Sequence, residues 1–264
     1  MTESYVQAGQ PEFEAQLRLR TAEREGSFFL PHLKPGMDLL DVGCGPATIT
    51  LGLAQAVAPG QVVGIDRDPG QVERSRAYVA ERGASNVRIE VADVYELPFP
   101  DGSFDAAFAH VVFLHLSDPV RALREIRRVL RPGGVVGLRD PDFGTIIQSP
   151  ANATLDDFRA MRARAQAFHG ANPMVAREYR RLLLEAGFAG SEAGASVRSA
   201  GNATECQEVA AFINAQLSGV GATALAEGWA DQAKLDEMRG AVDAWARRAD
   251  AFYVVVSCHV VGRA

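Results

Sequence analysis

Two kinds of apolar pattern alternate along the first half of this chain. Leu39-Leu40-Asp41-Val42, Val62-Val63-Gly64-Ile65, Phe104 to Val111 and Val135 to Arg139 are short, nearly continuous apolar runs, as strands buried on both faces are. Val87 to Ala92 reads as a further strand, the third in order. After the first run the apolar positions shift to helical spacing, at Ile49, Leu51, Leu53, Ala54 and Val57. Asp68-Pro69 supplies an N-cap and a proline at the first helical position for a helix that Gly83 stops. Ser117-Asp118-Pro119 does the same for a helix closed by Arg131-Pro132-Gly133-Gly134. Strand, helix, strand alternation predicts right-handed crossovers and a doubly wound α/β sheet, with ligands taken at the carboxyl ends of the strands.

The second half departs from that rhythm. Ala151 to Gly170 reads as an inserted helix, with Leu155, Phe158, Met161, Ala165 and Phe168 on one stripe and His169 after it. Pro173 to Gly187 is a helix striped by Tyr179, Leu182, Leu183 and Ala186; Ala189 to Ser199 is strand six. Thr204 to Asp250 is helical again, and AFYVVVSCHVVG, Ala251 to Gly262, is the last strand. Pro11 to Leu33 predicts one or two helices packed on the sheet. The expected organisation is one domain over 1–264: an N-terminal helical segment (1–35), an α/β core (36–142) with the ligand edge of the sheet, helical cap insertions (143–173 and 203–250) and a last strand (251–264).

Between the first strand and its helix lies Gly43-Cys44-Gly45-Pro46, a turn that needs glycine and lets a ligand lie against backbone, facing the free N–H groups of the next helix. A dinucleotide site wants G-x-G-x-x-G. Here Gly43 and Gly45 are followed by Thr48, and Asp41, two residues before the first glycine, would repel a pyrophosphate. A carboxylate there suits an ammonium or a sulfonium, and S-adenosylmethionine carries both. Asp66 ends the second strand, 21 residues after Gly45, where an acidic side chain can accept both ribose hydroxyls, with Arg67 beside it. Asp93-Val94 ends the third strand and offers a carboxylate next to a backbone N–H, a natural pair for adenine.

Composition removes several classes. The net charge of −6 over 264 residues, with no basic block, speaks against nucleic acid. No stretch approaches the run of about 18 apolar residues that a membrane span needs, and MTESYVQAGQPEFEAQ lacks the apolar core of a signal peptide, so no membrane partner and a cytoplasmic location are expected. Cys44, Cys206 and Cys258 are too scattered for a disulfide framework or a zinc site.

LLDVGCGP, VVGID, VADVYELPFPDGSFD and LREIRRVLRPGG, in this order and spacing, resemble the class I S-adenosylmethionine-dependent methyltransferases over roughly Tyr5 to Asp140. The resemblance implies a doubly wound seven-stranded, mostly parallel sheet with an antiparallel last strand, carrying helical cap insertions. It implies S-adenosylmethionine as cofactor, held by Asp41, Gly43, Cys44, Gly45, Asp66, Arg67, Asp93 and Val94, and an N-terminal segment folded over it with Tyr5 and Phe13 near the ligand. Cys44 stands where relatives have a small residue, so packing is its expected role. His110 would line the pocket near the methionine moiety, and His115 would fix a turn. Alignment alone can drive methyl transfer, so a base is optional; the candidates are His110, His169 and Asp142. Asp140 and Asp142 could form a metal pair, but metal-dependent catechol-type relatives need a carboxylate where this chain has His110, so no metal is expected. PFPDGSFD and LRPGG recur in quinone-type and natural-product methyltransferases, which implies a small-molecule acceptor. A nicotinamide-dependent oxidoreductase and a non-catalytic cofactor-binding member of the fold stay open as alternatives. The insertion at Thr204 to Asp250 is expected to be a lid or the contact of a homodimer.

Overall fold

The computed structural model describes residues 11–264; Tyr5 and the side chain of Phe13 lie outside the described residues. The elements in chain order are α1 (Pro11–Leu17), α2 (Ala22–Glu25), β1 (Leu39–Val42), α3 (Thr48–Val57), β2 (Val62–Asp66), α4 (Pro69–Glu81), β3 (Val87–Val91), β4 (Phe104–His110), α5 (Pro119–Val129), β5 (Leu130–Ser149), α6 (Ala153–Phe168), α7 (Tyr179–Glu185), β6 (Gly190–Ala200), α8 (Ala203–Ala226), α9 (Gln232–Ala246) and β7 (Phe252–Arg263).

The seven strands form one sheet in the order β3-β2-β1-β4-β5-β7-β6, with β7 antiparallel to both neighbours and the rest parallel. This is the doubly wound, mostly parallel sheet that the sequence predicts. Its central strands β1, β2 and β4 are apolar nearly throughout because successive side chains serve opposite, covered faces. Leu39, Val62 and Phe108 pack with Phe29, Ile49 and Leu53 on one side. Leu40, Val63 and Ala107 pack with Leu123, Ile126 and Leu183 on the other. Phe29 lies at 5.5 Å from Phe108, ring centroid to centroid, and a Cβ on Gly137 of β5 would fall 2.4 Å from its ring, so this glycine is what lets the N-terminal segment lie flat on the sheet.

The end of β5 and the stretch after β6 differ from the sequence reading. Strand β5 does not stop at Arg139 but continues to Ser149, pairing with β7 across an irregularity between Asp142 and Ile147. Asp140 and Asp142 interrupt its apolar pattern, yet both are buried and hydrogen-bonded, so the strand survives them. The helical stretch after β6 is two helices, broken at Gly228, which takes φ +66°, and restarted by the Asp231 N-cap.

A separate apolar cluster builds the cap. Phe158 and Met161 of α6, Ile213 and Leu217 of α8, Met238 and Trp245 of α9, and Tyr253 at the start of β7 belong to it. Strand β6 runs parallel to β5, because both are antiparallel to β7, so the cap leaves the sheet at Ala200, at the carboxyl edge. Contrary to the expectation that no stretch approaches a membrane span, α8 is long and apolar enough by length and composition, because small residues and few charges fill it. Over half of that stretch is buried inside the protein, where α6, α9 and β7 cover it.

Trp245 ties the cap to the end of β5 by donating its indole N–H to the Ser149 carbonyl at 3.0 Å. Trp245→Ala should lower unfolding free energy by about 3–5 kcal/mol, the range for truncating a buried large aromatic. Because the cap and the glycine turn use different residues, calorimetric affinity for S-adenosylhomocysteine should stay within a factor of two or so of wild type; a large loss would show that the cap helps hold the cofactor.

Candidate functional site

Strand β1 delivers the chain to Gly43 and Gly45, at φ +66° and +48°. The two glycines are required for different reasons. A Cβ on Gly43 would stand 2.5 Å from Val112 Cγ2, whereas a Cβ on Gly45 would meet nothing within 4 Å. Gly45 therefore borders open space, and a side chain there would fill a cradle rather than collide with protein. Its peptide is fixed from both ends: the Ser75 hydroxyl of α4 donates to its carbonyl at 2.5 Å, and its N–H donates to Asp66 Oδ2 at 3.2 Å. Asp66 Oδ1 accepts the Asp68 N–H at 3.1 Å. Partial burial raises the Asp66 pKa against the pull of these donors, and the half-buried carboxylate remains at the mouth of the turn.

Asp41 lies behind the turn. It is buried and accepts the Thr50 hydroxyl of α3 at 2.6 Å, an arrangement that locks β1 to α3. Burial, aided by the neighbouring Asp66 charge, raises its pKa to about 7. Cys44 donates its N–H to the Ile65 carbonyl at 2.9 Å, and its side chain packs on Gly64, where a Cβ would come within 3.0 Å of it. Burial, with Asp41 and Asp66 nearby, pushes its thiol pKa well up, so it is a packing group and not a nucleophile. At the next strand end Asp93 is exposed and accepts the Tyr95 N–H at 2.9 Å, while Val94 turns its side chain into the core and leaves only backbone for a ligand. Arg67 is exposed beside Asp66.

His110 ends β4 with its side chain 6% exposed. Its Nε2 lies 3.0 Å from Arg139 Nη1 and 3.4 Å from Glu25 Oε2, and Arg139 also pairs with Glu25 directly. Sequence reasoning found the histidine and missed both partners, since Glu25 comes from α2 and Arg139 from β5. Burial lowers the His110 pKa to about 4 in spite of Glu25, whose charge Arg139 already neutralises. The ring is thus neutral at pH 7. Arginine can only donate, so Nε2 accepts from Arg139 and the proton belongs on Nδ1, which is buried with no partner among the described residues.

The comparisons with known proteins agree with this geometry. Residues 40–138, from β1 into β5, match the family described as a methyltransferase domain. Over those residues the core is similar to class I S-adenosylmethionine-dependent methyltransferases. An uncharacterised methyltransferase of Schizosaccharomyces pombe is 34% identical over 173 residues, 63% of this chain and 62% of that protein. The 27-O-demethylrifamycin SV methyltransferase of Amycolatopsis mediterranei is 38% identical over 157 residues, 59% of this chain and 55% of its own. Matched stretches cover 62%, 44% and 52% of the first curated relatives, so the chain spans about half their length. The YcgJ protein of Bacillus subtilis shares the fold at TM-score 0.61 and 19% identity, covering 91% of this chain and 98% of that one. The open cradle at Gly45, bordered by the Asp66 acceptor, fits the methyltransferase cofactor. Gly43, Gly45 and Asp66 would hold its methionine and ribose portions, and Asp93 its adenine.

The other polar candidates have partners of their own. Asp142 is buried in a two-point ion pair with Arg177, at 2.6 and 2.7 Å, and also accepts the Gly144 N–H, so no lone carboxylate is left there to take a proton. Asp140 Oδ2 accepts the Tyr179 hydroxyl at 2.6 Å and the Leu114 N–H at 2.9 Å; burial raises its pKa to about 7. That carboxylate braces the turn after β4, in which Val111 takes φ +58°, a conformation costly for a β-branched residue. His169 lies at the end of α6 with Nε2 3.1 Å from the Thr223 hydroxyl of α8, inside the cap and apart from the Glu25–His110–Arg139 group.

Gly45→Ala should cost about 1–2 kcal/mol of stability for the left-handed backbone but reduce S-adenosylhomocysteine affinity at least tenfold in calorimetry. Unchanged affinity would move the cofactor away from this turn. The His110 environment sets a pH dependence. Because the folded pKa, about 4, lies below the ordinary 6.5, the folded chain binds fewer protons than the unfolded one between those values, so this group makes stability rise with pH across that window. Relative to wild type, His110→Gln should flatten the rise, by about 3 kcal/mol at most, in urea titrations between pH 4 and 6.5. An unchanged profile would show that the ring titrates normally.

Proposed function

We propose that this chain transfers a methyl group from S-adenosylmethionine to a small-molecule acceptor that sits between the carboxyl edge of the sheet and the helical cap. The observation that carries the reading is the Gly45 turn, open on its ligand side and clamped to Asp66, inside a segment that matches the methyltransferase domain. The name of the Amycolatopsis relative, a 27-O-demethylrifamycin SV methyltransferase, supports an organic molecule as the acceptor.

When bound, the cofactor supplies an electrophilic methyl group whose departure leaves a neutral thioether. The protein's own work is to align, to exclude water and to hold an acceptor proton where one is released. Asp66 orients the ribose end. His110, neutral and fixed by Arg139, presents Nδ1–H as a hydrogen-bond donor, which suits positioning an acceptor oxygen better than removing its proton. The cap, leaving the sheet at Ala200, closes the site from above.

Incubation with a small-metabolite extract and cofactor labelled in the methyl group should yield labelled low-mass product. Asp66→Ala should abolish it, since two charge-assisted bonds to ribose hydroxyls, each worth about 1.5–3 kcal/mol, disappear together. Tight cofactor binding without any labelled product would make the chain a non-catalytic member of the fold.

A further inference from the structure

Arg162 of α6 is the one buried arginine among the described residues. Arg139 pairs with Glu25, and Arg177 engages the buried Asp142. Arg162, only 5% exposed, has no carboxylate within ion-pairing distance among the described residues. Its Nη1 donates to the Gln216 amide oxygen of α8 at 3.2 Å, and its guanidinium lies over the Phe143 ring at 3.9 Å and near Phe158 at 5.9 Å. Its Nε donates to nothing, and one turn further along α6 the buried Gln166 Oε1 accepts from nothing. Burial draws its pKa down to about 10, which still leaves a full positive charge at pH 7.

A buried charge with no counter-ion is costly, and a fold keeps one where something else supplies the opposite charge. The place matters as well. Phe143, under the guanidinium, directly follows Asp142 on the part of β5 that extends past the sheet's carboxyl edge into the cap. Arg162 therefore belongs to the wall between the cofactor edge and the cap interior. We propose that Arg162 is the recognition residue for a carboxylate on the methyl acceptor, with Gln166 Oε1 taking a hydrogen-bond donor next to that carboxylate. The guanidinium fork, with Nε–H unclaimed, matches a carboxylate at two points, and the Phe143 and Phe158 rings give the acceptor's body an apolar, planar surface. The proposal refines the methyl-transfer reading and rests on it for the word acceptor; carboxylate binding itself is measurable without any transfer.

The test uses full-length protein saturated with S-adenosylhomocysteine and a probe panel of acetate, benzoate and 3-phenylpropionate, each beside its neutral amide. At least one carboxylate should raise the melting temperature of wild type, its amide should not, and the shift should vanish in Arg162→Met and Arg162→Gln. With no probe present, both variants should melt at or above the wild-type temperature, because an uncompensated buried charge has been removed. Binding of S-adenosylhomocysteine should be unchanged, which separates this result from a failure of the methyltransferase reading. No shift by any carboxylate, equal shifts in wild type and variants, or variants that are markedly less stable without probe would each overturn the proposal, the last by showing that Arg162 serves the cap's structure alone.

Discussion

The Gly45 peptide is the fixed point of this molecule. Its carbonyl is held by Ser75 of α4 and its N–H by Asp66 at the end of β2, so the turn after β1, the strand β2 and the helix α4 meet at one peptide group. The backbone there is left-handed, which glycine adopts without the penalty a side chain brings. Behind it the Thr50 hydroxyl holds Asp41 and joins β1 to α3. These bonds are buried or half-buried, where each is stronger than in water and each broken partner costs more. The same arrangement that closes the fold also faces a cradle of open space, so the residues that close the fold are those that would hold a cofactor.

The second layer depends on pieces from far along the chain. Arg139 on β5 gathers Glu25 and His110, and Phe29 packs between Phe108 and Gly137, so the N-terminal segment is fastened to the sheet by polar and apolar contacts next to each other. On the far side β6 and β7 launch and receive the cap, whose core is continuous with Tyr253 and Val255 of β7. In the proposed reading the glycine turn, the His110 group and the cap bound the carboxyl edge and exclude water from it, as group transfer requires.

Much of this was legible in the residues. The strands β1, β2 and β4, the glycine turn and the acidic strand ends follow from period, punctuation and spacing, all local properties of the chain. What escaped is long-range. Nothing near Glu25 announces that it will meet His110 and Arg139, and nothing near Asp142 announces Arg177, because ion pairs between distant elements leave no periodic trace. The sequence reading ends β5 at Arg139; Asp140 and Asp142 beyond it are each matched by a partner from another element, Tyr179 and Arg177, so the strand runs on. Asp41 was expected to face a cationic ligand, and the structure gives its carboxylate to Thr50, a bond within the first strand-helix unit that the nine-residue separation could have suggested. Cys44 was expected to pack, and it does so against Gly64.

The most direct test of the central claim is a crystal structure of the protein grown with S-adenosylhomocysteine. The account predicts ligand density along the open side of Gly45, with both ribose hydroxyls on the Asp66 carboxylate and the adenine beside Asp93 and Val94. Density elsewhere on the sheet, or a ribose whose hydroxyls do not reach Asp66, would contradict it.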